Sequence, residues 1–229
     1  MRNLNQVLFI FFIGLFAFNA NAQNFGIKAG MNLSIMQFKK DSKKQKENFE
    51  QTAGYNVGVT MNYPLTHMFS IETNLFFDTK GTRYTFVGYE SDFFLKIQTY
   101  YLDLPVYAKL NKYVGNNVKI YGLIGPYVGI GLSGKIKAKD HGSIDVDWGN
   151  EEYDDDFRRF DWGLSMGFGI QVDNIQLGLY YDIGFQNIAP DPSDDRITTE
   201  IRNSQVIVID KPEYDIKNRQ LRLSVGYNF

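Results

Sequence analysis

The feature that most constrains the fold is an alternation of apolar and polar residues along most of the chain. Successive side chains of a β-strand point to opposite faces of a sheet, so a period of two predicts strands with one apolar and one polar face. Eight segments show this period: residues 25–35, 54–63, 69–78, 101–110, 119–133, 160–172, 175–185 and 221–229.

These segments are long for a soluble domain. Most span about ten residues or more, whereas strands in soluble domains average about 5–6 residues. A strand that crosses a bilayer at about 45° needs about 9–11 residues. Bacterial outer-membrane barrels use an even number of antiparallel strands. We therefore predict an all-β chain that forms an eight-stranded antiparallel up-and-down transmembrane barrel.

The connections between the segments alternate in length, as they do in outer-membrane barrels. We therefore expect the short turns to face the periplasm and the long polar loops to face the outside. The short turns lie at 64–67, around 115–117 and at 173–174, and the long loops at 37–52, 81–97, 134–157 and 187–217.

The N-terminus has the pattern of a secretory signal peptide. Arg2 precedes an apolar run at 7–18, and Ala20-Asn21-Ala22 supplies a small-x-small cleavage pattern. The run is shorter than the roughly 20 apolar residues that a transmembrane helix needs. We expect residues 1–22 to be removed, which leaves residues 23–229 as one barrel domain in the outer membrane of a Gram-negative bacterium.

Composition argues against several other classes of protein. The chain has 24 Lys and Arg against 26 Asp and Glu, whereas a nucleic-acid-binding protein should have a basic excess. It has no Cys, which excludes disulfides, thiolate zinc sites and a cysteine nucleophile. Its 21 Gly, 15 Tyr and 19 Phe are typical of closely packed strands.

The two strand faces predict which side meets lipid. The polar face is rich in Gly, Ser and Asn, which fit the crowded interior of an eight-stranded barrel. The apolar face has large side chains, with aromatic residues near strand ends that would form interfacial girdles. A soluble lipocalin-type barrel, whose apolar face lines a cavity, is the alternative. The expected girdle residues are Tyr63, Phe69, Trp162, Phe185, Tyr227 and Phe229.

Charged residues on the polar face nearly cancel. Unpaired charges in a narrow lumen would be costly, so we expect a paired network that plugs the barrel. The alternative is a narrow pore for ions or protons that passes Lys28 and Asp182. The predicted lumen network is Lys28, Lys109, Lys119 and Arg222 together with Glu72, Asp103, Asp161 and Asp182.

Two long loops are strongly charged. The acidic one is a candidate divalent-cation site because Ca²⁺ takes oxygen ligands, although its spacing does not fit an EF-hand. The basic one is a candidate contact for lipopolysaccharide phosphates or for the acidic loop, and solvated loops are the alternative for both. The acidic residues are Asp145, Asp147, Glu151, Asp154, Asp155 and Asp156, and the basic ones are Lys39, Lys40, Lys43, Lys44 and Lys46.

We expect neither catalysis nor a cofactor. An acyl-transfer enzyme would need Ser, His and a carboxylate together, but His67 lies in a short turn and His141 in a long loop, at opposite ends of the barrel. The expected role is structural or based on surface interaction, for a monomer in contact with outer-membrane lipid and lipopolysaccharide. Phe229 ends an alternating strand, which is typical of the signal read by the barrel-assembly machinery when it adds a strand to a sheet edge.

Several of these segments resemble PorT-like outer-membrane barrels of Bacteroidetes. Residues 100–110, YYLDLPVYAKL, are similar to the YLxLPxxxKL strand of that family. The resemblance covers essentially the whole mature chain and implies the same barrel fold. It also implies a further alternative, an accessory role in type IX secretion and gliding. Other similar stretches are FGIKAGMN at 25–32, GPYVG at 125–129, FDWG at 160–163, GFG at 167–169, LGLYY at 177–181 and GFQNI at 184–188.

Two prolines fall inside predicted strands. Proline cannot donate to a sheet ladder and is normally found at an edge or a bulge, and a closed barrel has no edge. We therefore expect β-bulges at Pro105 and Pro126.

Overall fold

The computed structural model describes most of the chain beyond residue 23, and this part is built of β-strands. The described residues are 24–40, 43–44, 49–86, 93–115, 117–138, 142–149, 156–190, 197–202, 205–210 and 214–229. No helix in these ranges is long and apolar enough to cross a membrane.

The described residues form twelve strands, of which eight are long. The long strands are β1 (Asn24–Lys40), β3 (Phe49–Pro64), β4 (Phe69–Phe86), β5 (Phe93–Tyr113), β6 (Val118–Ala138), β8 (Phe160–Val172), β9 (Ile175–Gly184) and β12 (Tyr214–Asn228). The short strands are β2 (Lys43–Lys44), β7 (Gly142–Asp145), β10 (Ile197–Arg202) and β11 (Gln205–Asp210).

The eight long strands close into a ring. Each pairs antiparallel with the next in chain order, and β12 pairs with β1 from Gly26↔Asn228 to Lys40↔Tyr214. Closure removes the unpaired edges that an open sheet would expose. The predicted eight-stranded antiparallel up-and-down barrel is confirmed.

The apolar face of the ring points outward. On β1, the side chains of Ile27 and Met31 are 52% and 72% exposed, whereas Lys28 and Asn32 are buried at 2% and 3%. The same alternation continues around the ring, so the polar face fills the lumen, as the composition of the two faces predicts. The exposed apolar belt is suited to lipid and unlike a lipocalin, which buries its apolar face.

Several strands are longer than the sequence pattern indicates. β5 and β6 each have 21 residues, about twice what a bilayer crossing needs. Residues 81–86 and 134–138, which we expected in loops, continue β4 and β6. The apolar alternation stops before the backbone ladder does, because inter-strand hydrogen bonds do not require apolar side chains. The barrel is therefore extended at the end opposite the short turns.

The expected bulges at Pro105 and Pro126 are wrong. The pairing of β5 with β6 has the same register on both sides of the prolines, at Pro105↔Tyr127 and Ala108↔Ile124. The ladder is only interrupted between these two pairs, at a place where each strand has a proline that cannot donate to it. The strands approach closely there, since a Cβ on Gly125 would lie 1.9 Å from the carbonyl oxygen of Val106. The register shifts occur at Tyr100/Tyr101 in β5 and between Gln51 and Asn56 in β3.

The two-residue turn at Asp173 and Asn174 is confirmed. Val172 pairs with Ile175, and Asp173 has φ of 51°. The left-handed conformation tolerates Asp and Asn better than most side chains, so this sequence suits a tight hairpin. The short turns all lie at one end of the ring, which we call the turn end, and the opposite end is the loop end.

Ring closure can be tested with a matched pair of glycine variants. A Cβ at Gly30 would lie 2.1 Å from the carbonyl oxygen of Leu223 on β12, whereas a Cβ at Gly122 would meet its nearest atom, the carbonyl oxygen of Gly167, at 4.0 Å. Gly30→Ala should therefore weaken the β1–β12 seam, while Gly122→Ala should be neutral. Unheated wild type and Gly122→Ala should run as the compact, folded band on a denaturing gel. Gly30→Ala should convert to the unfolded band at a lower temperature than either of them. Equal behaviour of the two variants would contradict the seam.

Candidate functional site: the barrel lumen

The layer of lumen charges nearest the turn end is built around one carboxylate. Glu72 of β4 accepts hydrogen bonds from Lys28 of β1 and from Lys109 of β5, the latter at 2.6 Å. All three side chains are almost completely buried. The Nζ of Lys109 also lies 4.1 Å from the ring centre of Tyr121. Two cations thus share one anion, and an aromatic ring provides a further partner.

The middle layer is built around Arg222 of β12. Its Nε lies 3.0 Å from Asp182 of β9, and its Nη1 lies 3.7 Å from Asp78 of β4. Its Nη2 donates to the hydroxyl of Tyr107 at 3.3 Å, and the Ser165 hydroxyl donates to Asp182. A guanidinium has five donors in a fixed plane, so it can join carboxylates and a phenol from different strands.

The layer nearest the loop end is built around Lys80 of β4. Its Nζ lies 3.0 Å from Asp103 of β5 and 3.1 Å from Asp161 of β8. The ring centres of Tyr101 and Tyr127 lie 4.4 Å and 5.0 Å from the same nitrogen. This ammonium is therefore enclosed by two carboxylates and two aromatic faces.

Above these layers, apolar side chains from the loop end fill the mouth of the barrel. Trp148 packs edge-on against Tyr101, with ring centroids 5.6 Å apart. Its ring also lies against Gly131, where an added Cβ would be only 2.3 Å from the ring. Phe157 packs beside Trp148 at 6.4 Å. We call the buried residues here the mouth cluster: Met36, Val146, Phe157, Ile188, Ala189 and Ile216.

The structure brings most of the predicted lumen charges together. Lys28, Glu72 and Lys109 form one layer, Asp182 and Arg222 belong to the next, and Asp103 and Asp161 belong to the third. Lys119 is separate: it is half-buried near the turn end, with its Nζ 5.9 Å from the ring centre of Tyr113. Among the described residues it has no carboxylate within ion-pair distance.

Two charged members of the network were missed by the sequence analysis. Asp78 accepts hydrogen bonds from Asn32 at 2.5 Å and from Gln220 at 3.1 Å. Lys80, the centre of one layer, lies just past the end of the predicted segment 69–78. The alternation of the strand could have revealed Lys80, because even-numbered residues of β4 face inward and Lys80 continues that series. The mouth cluster was missed as well, although Val146 and Phe157 stand out as apolar residues in an acidic stretch.

The predicted loop sites are only partly within the described residues. Asp156 accepts a hydrogen bond from the backbone N–H of Asp147 at 2.9 Å, and Asp145 is exposed. Glu151, Asp154, Asp155 and Lys46 lie outside the described residues, as do the side chains of Lys39, Lys40, Lys43 and Lys44. Among the residues described, no three His, Cys, Asp or Glu form a group that could hold a metal. The divalent-cation and basic-loop contacts stay predictions.

Three other predicted positions lie at the turn end or beyond the described ranges. His67 is in the short turn after β3, with its ring 6.0 Å from that of Tyr113. His141 lies outside the described residues. Phe229 donates its backbone N–H to Phe25 at 2.8 Å and packs against Tyr227 at 5.8 Å. The role of Phe229 in assembly stays a prediction.

The shared carboxylate of Glu72 gives a direct stability test. Glu72→Leu leaves Lys28 and Lys109 buried without their anion, and breaking a buried pair in this way costs about 3–5 kcal/mol. Glu50→Gln is the matched control, because Glu50 is 57% exposed and lies 3.9 Å from Arg83. Such a surface pair contributes about 0–1 kcal/mol. Urea unfolding of the refolded barrel, followed by gel mobility, should show a large loss in the free energy of unfolding for Glu72→Leu but not for Glu50→Gln. Similar losses in the two variants would contradict the role given to Glu72.

Comparison with known proteins identifies the family. The chain resembles, among solved structures, the attachment invasion locus protein Ail of Yersinia pestis (16% identity, covering 90% of this chain and 99% of that one, TM-score 0.39). It also resembles OprG from Pseudomonas aeruginosa (15% identity, covering 91% of this chain and 96% of that one, TM-score 0.48). A third similar structure is Neisserial surface protein A (12% identity, covering 90% of this chain and 97% of that one, TM-score 0.39). No curated protein matches it. Residues 19–189 match the outer membrane protein beta-barrel domain, and the chain belongs to that family.

Proposed function

We propose that this protein is a non-catalytic outer-membrane barrel with a plugged lumen, and that its role is structural or based on interactions at its loop end. The observation that carries the proposal is the filling of the lumen. Three layers of buried, paired charges cross it, centred on Glu72, Arg222 and Lys80. The mouth cluster then covers the loop end with apolar side chains.

The energetics of the network favour a static plug. Each central group has partners from two or more other strands, so displacing one would leave buried charges unpaired. Removing one partner of a buried pair costs several kcal/mol, on the order of 3–5. An eight-stranded barrel also has an interior only wide enough for its own side chains. Continuous passage of ions would require breaking all three layers.

The proposed orientation has the loop end outside the cell and the turn end in the periplasm. Short turns on one side and long connections on the other support it, because outer-membrane barrels have this asymmetry. The extensions of β4, β5 and β6 would then begin in the headgroup layer of the outer leaflet and continue outward, and the β10–β11 hairpin would lie on the same side. They offer the surface on which contacts with lipopolysaccharide or another partner would form.

The proposal assigns no catalysis and starts from where Ser165 and His67 lie; His141 is outside the described residues. Ser165 is bonded to Asp182 and Tyr107 inside the lumen, away from His67 at the turn end. Within the described residues no Ser donates to or accepts from a His. A hydrolytic triad needs that contact.

A second candidate is an accessory role in type IX secretion, which residues 100–110 favour through their resemblance to PorT-like barrels. In the structure this stretch is the middle of β5 and supplies Tyr101, Asp103, Tyr107 and Lys109 to the lumen layers. These residues serve the barrel itself, so the stretch supports membership in a barrel family more directly than a secretion role.

Conductance in planar bilayers tests the plug. Reconstituted wild-type protein should give no stepwise currents, and Asp182→Asn should be silent as well, because Asp182 holds Arg222 within a filled cross-section. A porin reconstituted in the same lipid serves as the positive control. Stepwise wild-type currents that change on Asp182→Asn would overturn the plug and support a narrow pore.

A further inference from the structure

Cationic side chains lie side by side on the loop-end extensions of three neighbouring strands. Arg83 of β4 is directly opposite Lys96 of β5, and Lys96 is directly opposite Lys137 of β6. Lys135 lies two residues before Lys137 and therefore on the same face. We call these four residues, Arg83, Lys96, Lys135 and Lys137, the basic row.

The basic row points away from the lumen. Thr82, beside Arg83, is completely buried. Ile97 and Ile136, which are chain neighbours of the three lysines, pack against the mouth cluster inside the barrel. Because successive residues of a strand face opposite sides, the cations must face outward.

The row lies just beyond the apolar belt. On β5 the outward residues from Leu110 to Leu102 are apolar, and Tyr100 then stacks on Phe77 with ring centroids 5.7 Å apart. This pair marks the interfacial level, where aromatic girdles sit. Lys96 is four residues farther along, about 13 Å along the strand or about 9 Å along the barrel axis at a tilt of about 45°. That height is the headgroup layer of a bilayer.

The arrangement is unfavourable for the protein alone. Like charges directly opposite each other destabilise a sheet, yet the row places three cations in consecutive paired positions. Only two carboxylates border it among the described residues: Glu50, which is 3.9 Å from Arg83, and Asp145, which is opposite Lys135. Four cations and two anions leave a net positive surface, which favours an anionic partner.

We propose that the basic row binds the phosphate groups of an anionic glycolipid in the leaflet next to the loop end. Neighbouring strands lie about 4.7–4.9 Å apart, so Arg83, Lys96 and Lys137 fall within about 10 Å and can contact the phosphates of one headgroup. The acyl chains of the same molecule would lie along the belt below Tyr100. This inference rests on the proposed membrane orientation, but binding is measured separately from conductance.

Bisphosphorylated lipid A is the probe, added to the refolded full chain in detergent micelles. Wild type should bind it at least about tenfold more tightly than dephosphorylated lipid A with the same acyl chains. Lys96→Gln should weaken binding about fivefold, since each cation at a membrane surface contributes about that factor. The triple variant Arg83→Gln/Lys96→Gln/Lys137→Gln loses three such contributions and should bind about a hundredfold more weakly. Inorganic pyrophosphate should compete only at far higher concentration, which distinguishes a lipid from free phosphate.

Lys112→Gln is the matched control. Lys112 is also an exposed outward lysine of β5, but it lies at the turn end. The Lys112→Gln variant should bind the probe as tightly as wild type does. Without lipid, the triple variant should unfold no more easily than wild type, because neutralising the row removes repulsion.

The proposal is overturned if the triple variant binds the probe like wild type, or if Lys112→Gln weakens binding as much as Lys96→Gln. It is also overturned if the phosphates of lipid A make no difference, or if pyrophosphate competes as well as the lipid. Lipid binding that depends on the basic row, together with stepwise currents through the wild-type protein, would support this site and reject the plug.

Discussion

Everything in this structure depends on the closure of β12 onto β1. In a bilayer the backbone groups have no water to bond, so a sheet can cross only when each strand has a neighbour on both sides. The seam from Gly26↔Asn228 to Lys40↔Tyr214 provides this for the first and last strands. Glycines such as Gly30, where a Cβ would lie 2.1 Å from a carbonyl oxygen of the partner strand, allow the strands to curve tightly enough to close.

Closure with an apolar exterior determines the chemistry of the interior. Every second residue points into a narrow space, so polar and charged groups there must find partners across the ring. Glu72, Arg222 and Lys80 collect those partners from β1, β4, β5, β8 and β9, and Tyr rings fill the gaps. The mouth cluster adds apolar side chains from the ends of β1 and β12 and from the loops. The same architecture leaves the outward faces of the strand extensions free, where the basic row lies.

The sequence predicts the barrel and its two faces because both follow from a period of two that can be counted. It also predicts that Lys28, Glu72 and Arg222 face inward, since parity alone decides this. It does not predict which charge pairs with which, because partners are set by the register around the whole ring. It does not reveal Lys80, because the apolar pattern stops before the strand does. It predicts Lys119 in the network, but Lys119 lies beside Tyr113 at the rim. Trp148 reaches the lumen through a loop, where no periodicity indicates its position.

The central claim is that the apolar face meets lipid while the lumen is closed, and the two tryptophans report on these sides separately. Trp162 is 43% exposed on the outer face beside Phe185, whereas Trp148 packs against Tyr101 within the mouth. We would measure fluorescence quenching by brominated phospholipids in vesicles that contain single-tryptophan variants. The account predicts strong quenching of Trp148→Phe, which retains Trp162, and little quenching of Trp162→Phe, which retains Trp148. Equal or reversed quenching would contradict it.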